Sequence, residues 1–141
     1  MTTLLDTGPL VAAAHREDDA HTVCARLFAE FQGALLLPST VLIEACWIIN
    51  ARMGANAHAN FLGRLADDIA SDRIRLVDLA AEDVERMGEL VRTYRDLGLD
   101  PTDASVIAMA ERLGVKQVAT LDRRDFSVVR PRHIDALQLL P

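Results

Sequence analysis

The chain has 141 residues, of which 50% are hydrophobic and 26% charged, and its net charge is −6. That length holds one domain, 1–141, with a proper core, and the negative balance excludes generic attraction to nucleic acid or an anionic membrane. A nucleic-acid substrate would need bound metal or a local basic patch to offset the charge.

In chain order, residues 3–5 predict a short strand ending at Asp6, and Thr7-Gly8-Pro9 turns the chain into a small helix. Asp18 or Asp19 caps a second helix, whose Ala20, Val23, Cys24, Leu27, Phe28 and Phe31 mark one apolar face before Gly33 ends it. Residues 34–37 read as a buried strand, and Pro38-Ser39 opens a third helix that Gly54 stops. A fourth helix carries Phe61, Leu62, Leu65 and Ile69 on one side. Another strand is expected over 74–79, and Val84, Met87, Val91 and Tyr94 trace a fifth helix. Residues 99–126 then organise the chain. Asp100 and Pro101 form an N-cap and N1 pair, which places Asp103 at N3. Ala104, Val106, Ile107, Ala108, Met109, Ala110 and Leu113 predict a buried helix, closed by Gly114. Residues 117–121 follow as a central strand, then a polar turn holding Asp122 and Asp125, then 127–129 and a tail ending in Leu139-Leu140. Strands alternating with helices predict an α/β fold: a central, mostly parallel sheet of four to five short strands flanked by helices on both sides.

Cys24 and Cys46 show no zinc, CxxC or disulfide pattern, so reduced thiols in a cytoplasmic protein are expected. Asp6 follows no basic leader, and Pro38 and Glu44 interrupt the longest apolar run, 34–49. Neither a signal peptide nor a membrane span is expected.

The acids have ordinary explanations one at a time. Asp6 suits a turn or a cap, Asp100 and Asp103 suit a helix start, and Asp122 and Asp125 suit a polar turn. Glu44 fits less easily, because Thr40, Val41, Trp47 and Ile48 surround it at helical spacing. A carboxylate on so apolar a surface needs a partner arginine, a proton or a metal. Placement says more than any single residue. Asp6 and Asp122 both end apolar strands, while Glu44 and Asp103 open helices that follow a strand and a loop. A parallel sheet would bring all four to one end, beside the crevice that open α/β sheets use for ligands. Two charges about 5 Å apart repel by roughly 3 kcal/mol at an effective dielectric near 20. Four together require protons or a divalent cation, and an all-oxygen set suits Mg²⁺ or Mn²⁺.

Four segments, LLDTGPLVA, PSTVLIEACW, TDASVIAMAERLG and ATLDRRDFSVVRP, together resemble the PIN-domain ribonucleases, especially the VapC-type toxins of toxin–antitoxin pairs. The likeness spans nearly the whole chain. It implies a metal-dependent endoribonuclease that leaves a 5′-phosphate and a 3′-hydroxyl, uses one or two Mg²⁺ or Mn²⁺ ions, forms a homodimer and is held inactive by a cognate antitoxin. The family's acidic positions fall on Asp6, Glu44, Asp103 and Asp122, with Thr120 orienting the site and Asp125 matching a more variable fifth acid. Asp100 has no counterpart and stays a helix cap.

Arg123 and Arg124 suit either RNA phosphate or ion pairs with neighbouring acids, and Arg130 and Arg132 share that ambiguity. His15 follows the first helix and is given no chemistry; His21, His58 and His133 show no metal spacing. Phe28, Phe31, Trp47, Phe61 and Leu65 are candidates for a dimer face or an antitoxin groove, against simple core packing. A haloacid-dehalogenase-type site fails because Gly8 stands where a second acid is required, and no GxGxxG or GxxxxGK[ST] is present. The non-enzymatic alternative is a PIN-like module that binds RNA or protein without cutting.

Overall fold

Thr2–Leu5 forms strand β1 in the computed structural model, which describes residues 1–141. The chain continues through helices α1 (Thr7–Ala14) and α2 (His21–Glu30), strand β2 (Ala34–Pro38), helix α3 (Ser39–Ala70), strand β3 (Ile74–Val77) and helix α4 (Ala81–Thr93). Helix α5 (Pro101–Leu113), strand β4 (Gln117–Ala119), helix α6 (Arg123–Val128) and strand β5 (Gln138–Leu140) complete it. The five strands make one sheet in the order β3-β2-β1-β4-β5, and every neighbouring pair is parallel. No helix is long and apolar enough to cross a membrane.

β1 lies in the middle because its side chains are buried without exception after Thr2, as a strand covered on both faces must be. The chain leaves β1 towards β2 on one side, and β4 occupies the other. That reversal of strand order opens a crevice at the carboxyl end of β1. At the opposite end a polar ladder fixes the register. Thr3 donates to Gln117 at 2.8 Å, and Gln117 donates to Gln138 at 2.8 Å, each pair level across its strands. The buried polar groups are thereby satisfied.

α1 packs on α2 and α3, α3 lies against β2 and β3, and α5 rests on β1 with α4 against it. α5 is buried from Thr102 to Ala110, and each large side chain it hides contributes about 1.5–3 kcal/mol. Asp100 caps it by accepting the Asp103 N–H at 2.8 Å, and Gly114 ends it at φ 67°. The expected third and fourth helices meet without a loop. Gly54, at φ 86° and ψ 178°, breaks α3 there in a conformation almost restricted to glycine.

Five expectations are corrected by the structure. Strand β4 stops at Ala119 and β3 at Val77, each two residues short of the apolar run, as the chain turns into the crevice or the next helix. The segment after Asp122 is helix α6, not a turn, with Asp122 accepting the Asp125 N–H at 3.2 Å. Leu113 at the end of α5 is exposed. On α4 the buried positions are Asp83 and Leu90, while Val84 and Val91 face solvent. Asp83 is the reason: it caps Ala80 N–H at 2.8 Å and pairs with Arg112 at 3.0 Å, and that ion pair turns the helix.

Candidate active site

The sheet register builds the first part of the site. Leu5 pairs with Ala119, so Asp6 and Thr120 come level just beyond the strand ends. The Asp6 N–H continues the ladder to Ala119 O at 2.9 Å, and the Thr120 hydroxyl donates to Asp6 Oδ2 at 2.7 Å. Asp6 holds the N-cap position of α1 yet makes no side-chain cap hydrogen bond. Its carboxylate belongs to the crevice instead. Gly8 permits the close approach of the β4 end, since a Cβ there would lie 3.2 Å from the Leu121 side chain.

Glu44 arrives from the second turn of α3, and its carboxylate accepts a hydrogen bond from the Thr102 hydroxyl. One turn earlier Thr40 shares a 2.7 Å hydrogen bond with Ser105. Two side-chain hydrogen bonds therefore strap the opening turns of α3 to those of α5 and fix Glu44 relative to Asp103. Asp103 is 4% exposed, and its Oδ2 has no partner. Across from it stand Asp122 and Asp125, so that one ligand oxygen from each of the three carboxylates lies within 4.8 Å of the others.

Asp6, Glu44, Asp103 and Asp122 all line one cavity of about 490 Å³. None of them, nor Asp100 or Asp125, takes part in an ion pair. Burial of a carboxyl without a cationic partner disfavours its charged form. Burial pushes Asp6 up to about 6, against the lowering pull of the Thr120 hydroxyl and the Thr7 backbone. Burial, then the charges of Asp6, Asp100, Asp122 and Asp125, push Asp103 up to about 9. Asp125 is raised by burial and by the charge of Asp122, and the charge of Arg124 draws it partly back. An orphaned buried oxygen on Asp103, with the Asp122 and Asp125 carboxylates close by and no arginine or lysine ion-paired to any of the three, is a donor set that fits a hard divalent cation.

The structure also places residues that the sequence reading passed over. Asp100 lines the same cavity besides capping α5, and Asp18 and Arg52 join it. Arg52 was findable, because Glu44, Ile48 and Arg52 stand at i, i+4 and i+8 on one side of α3. Thr102 was findable only as the neighbour of Asp103. Arg123 donates to the Pro141 carbonyl and Arg124 is exposed. Arg132 pairs with Glu89, whereas the Arg130 guanidinium makes only a 3.4 Å bond to Asp135 O. His15 faces Glu17 at 3.8 Å and lies outside the acid cavity.

The five aromatic and aliphatic candidates separate. Phe28, Phe31, Phe61 and Leu65 line an apolar groove of about 410 Å³ floored by Leu10 and Ile74. Trp47 stands elsewhere, exposed beside Glu44.

A family model described as the PIN domain matches residues 3–130. The chain is 27% identical over 128 residues to Ribonuclease VapC26 of Mycobacterium tuberculosis, a match covering 91% of this chain and 92% of that protein. Its fold is similar to that of Mycobacterium tuberculosis VapC20, a Sarcin-Ricin loop cleaving toxin, with a TM-score of 0.80 at 22% identity over 94% of this chain and 98% of the other. It is also similar to VapBC2 from Rickettsia felis bound to a promoter DNA fragment, with a TM-score of 0.68 at 19% identity over 99% and 97% of the two chains.

Proposed function

This chain belongs to the PIN-domain family, and from that premise we propose that it is a metal-dependent endoribonuclease, the toxin of a toxin–antitoxin pair. One observation carries the reading: the buried Asp103 carboxyl, unpartnered at Oδ2, lines a cavity with Asp6, Glu44 and Asp122 and comes within 4.8 Å of Asp122 and Asp125 ligand oxygens, and none of these acids is ion-paired. The relatedness to a ribonuclease of the VapC type supports the same reaction class.

Asp103, Asp122 and Asp125 would hold a Mg²⁺ or Mn²⁺ ion, with Asp6 and Glu44 completing the site or holding a second. Such an ion, when bound, supplies Lewis acidity, lowering the pKa of water and neutralising phosphate charge. The protein's own part is orientation and proton traffic. Thr120 fixes the Asp6 carboxylate and Thr102 fixes that of Glu44, which keeps both aimed at the cavity. Asp103 must surrender its proton for the site to fill, so loading is favoured as pH rises. Arg123 and Arg124, beside Asp122, are the proposed contacts for flanking RNA phosphate.

The apolar groove fits the non-polar face of an antitoxin helix, in keeping with the structural likeness to toxin–antitoxin complexes. A basic antitoxin side chain reaching the acids would complement their charge. A homodimer acting in the cytoplasm completes the reading. The test is cleavage of cellular RNA with Mg²⁺ or Mn²⁺: activity is expected in the parent, lost with EDTA and lost in Asp103→Asn. Full activity in Asp103→Asn would remove the assignment.

A further inference from the structure

Three buried side-chain atoms of the chain have no hydrogen-bond partner, Thr7 Oγ1, Asp103 Oδ2 and His133 Nδ1, and the first two belong to residues that line the acid cavity. Folded proteins pair such atoms with few exceptions, so two of them on one cavity point to an occupant. The proposed cation accounts for the Asp103 oxygen. It leaves Thr7 unexplained. Thr7 opens α1 directly after Asp6 and is 4% exposed. A threonine within a helix can return its hydroxyl to the carbonyl four residues back, but four back from Thr7 is Thr3, in β1, and no such bond forms. Nor does the Asp6 carboxylate take the hydroxyl, since Asp6 Oδ2 is held by Thr120 instead.

We propose that Thr7 is a positioning residue of the acid site, its hydroxyl bonding an oxygen in the cation's shell, either a water or a phosphate oxygen of the RNA; the inference rests on the nuclease reading above. Thr7 is the only hydroxyl among the residues lining the cavity, where Asp6, Asp18, Glu44, Asp100, Asp103 and Asp122 supply carboxylates. Ionised carboxylates only accept hydrogen bonds, whereas a hydroxyl both donates and accepts. Once the acids are ionised, an oxygen held among them finds a side-chain donor only at Thr7 or at the exposed Arg52. The hydroxyl is also neutral. It orients its partner without competing with the cation for the carboxylates, as an arginine or lysine would. Branching at Cβ restricts the Thr7 side chain, so the hydroxyl is held in place before anything binds. A hydrogen-bonded oxygen comes within about 2.7 Å of a hydroxyl, so an atom too enclosed to meet bulk water still serves an oxygen that the cation holds against it. The competing reading is a hydroxyl that merely packs, for which valine would serve equally well in every assay.

Thr7→Val keeps the shape and removes the hydroxyl, while Thr7→Ser keeps the hydroxyl. Both are compared with the parent by thermal melts in EDTA and by Mn²⁺ titration calorimetry without RNA. Anisotropy of end-labelled single-stranded RNA in Ca²⁺, the RNA checked intact afterwards, gives the third measurement. In EDTA Thr7→Val should melt no lower than the parent, because a buried hydroxyl without a partner does not hold the fold. A water in the shell predicts Mn²⁺ affinity lower by about 10- to 100-fold in Thr7→Val and near parental in Thr7→Ser. A phosphate oxygen predicts parental Mn²⁺ affinity, with RNA binding weakened about 10- to 150-fold in Thr7→Val and restored in Thr7→Ser. The appearance of neither loss would overturn the proposal. So would a lower Tm of Thr7→Val in EDTA, which would show the hydroxyl bonded in the empty protein, or a loss that Thr7→Ser fails to restore. A parent that binds no Mn²⁺ defeats the metal reading together with this one. A parent that binds Mn²⁺, with Thr7→Val its equal in both titrations, defeats this one alone.

Discussion

Replacing Asp6 by asparagine should stabilise the metal-free protein, and the size of the effect follows from the site. Burial lifts the Asp6 carboxyl from 3.8 to about 6. An acid whose pKa is higher in the folded chain binds more protons there, so its contribution to stability is full below 3.8 and is lost as pH rises through about 6. The loss reaches about 3 kcal/mol at most. Asparagine does not titrate, keeps the shape and offers an oxygen to the Thr120 hydroxyl. In EDTA near neutral pH or above, Asp6→Asn should therefore melt higher than the parent by up to roughly 10 °C for a chain of this size. In acid below the usual carboxylate range the difference should vanish. Mn²⁺ should raise the parent's Tm more than the variant's, because only the parent offers the full set of charges. Because the Asp6 charge also holds Asp103 up, the substitution lets Asp103 release its proton at lower pH. The assay is a series of thermal melts across pH, with EDTA and with Mn²⁺. A parent at least as stable as Asp6→Asn in EDTA at alkaline pH would refute the claim that Asp6 is an uncompensated buried charge.

Thr102→Val removes the hydroxyl that holds Glu44 and should weaken Mn²⁺ binding about 10- to 100-fold, measured by titration calorimetry, while Thr102→Ser keeps the bond and retains most of the affinity. Equal affinities in the two variants would show that the hydroxyl does not position Glu44. Phe28→Asp places a charge in the apolar groove and should abolish capture of the cognate antitoxin while metal-dependent RNA cleavage persists. Cleavage lost together with antitoxin binding would instead mark Phe28 as a core residue whose replacement disturbs the fold, a difference that a thermal melt reads directly.

How much of this was legible from the sequence depended on whether a local rule governed each element. Asp100-Pro101 and Gly114 fixed both ends of α5, because capping and left-handed termination are local and each needs only one or two residues. The same capping logic would have found α6: Asp122 and Asp125 repeat the N-cap and N3 spacing of Asp100 and Asp103, but the run behind them is too short to show helical periodicity. The buried face of α4 was not legible. Val84 and Val91 predict a face that the Asp83–Arg112 pair overrides, and that partner lies 29 residues away. Within the candidate site, the strand-ending position of Asp6 followed from sequence alone, whereas Asp122, expected directly after a strand, lies three residues beyond β4 as the N-cap of α6. The Thr102–Glu44 bond joins residues 58 apart and depends on how α3 crosses α5, which no local pattern encodes. The groove and the exposed Trp47 were read as one set of apolar residues for the same reason, since only the path of α3 separates them.

The same topology explains why a chain can fold with so many acids facing one cavity. In a parallel sheet every strand delivers the next helix N-terminus first at the carboxyl edge. Here α1, α3, α5 and α6 begin there, with Asp6 before α1, Glu44 in the second turn of α3, Asp103 at N3 of α5, and Asp122 and Asp125 at the start of α6. Each helix start carries about half a positive charge and unpaired N–H groups, which offsets part of the repulsion among the carboxylates. The offset is incomplete, because Asp6 and Asp103 are still driven up to about 6 and about 9. What remains must be neutralised by protons or by a cation, and those two compete for the same oxygens. A fold that compensates its acids only halfway should be most stable without metal at low pH and, on the proposed function, with a cation bound at high pH. Occupancy of the site and stability of the fold are therefore one equilibrium, and an asparagine at Asp6 that failed to uncouple the Tm from Mn²⁺ would break the link.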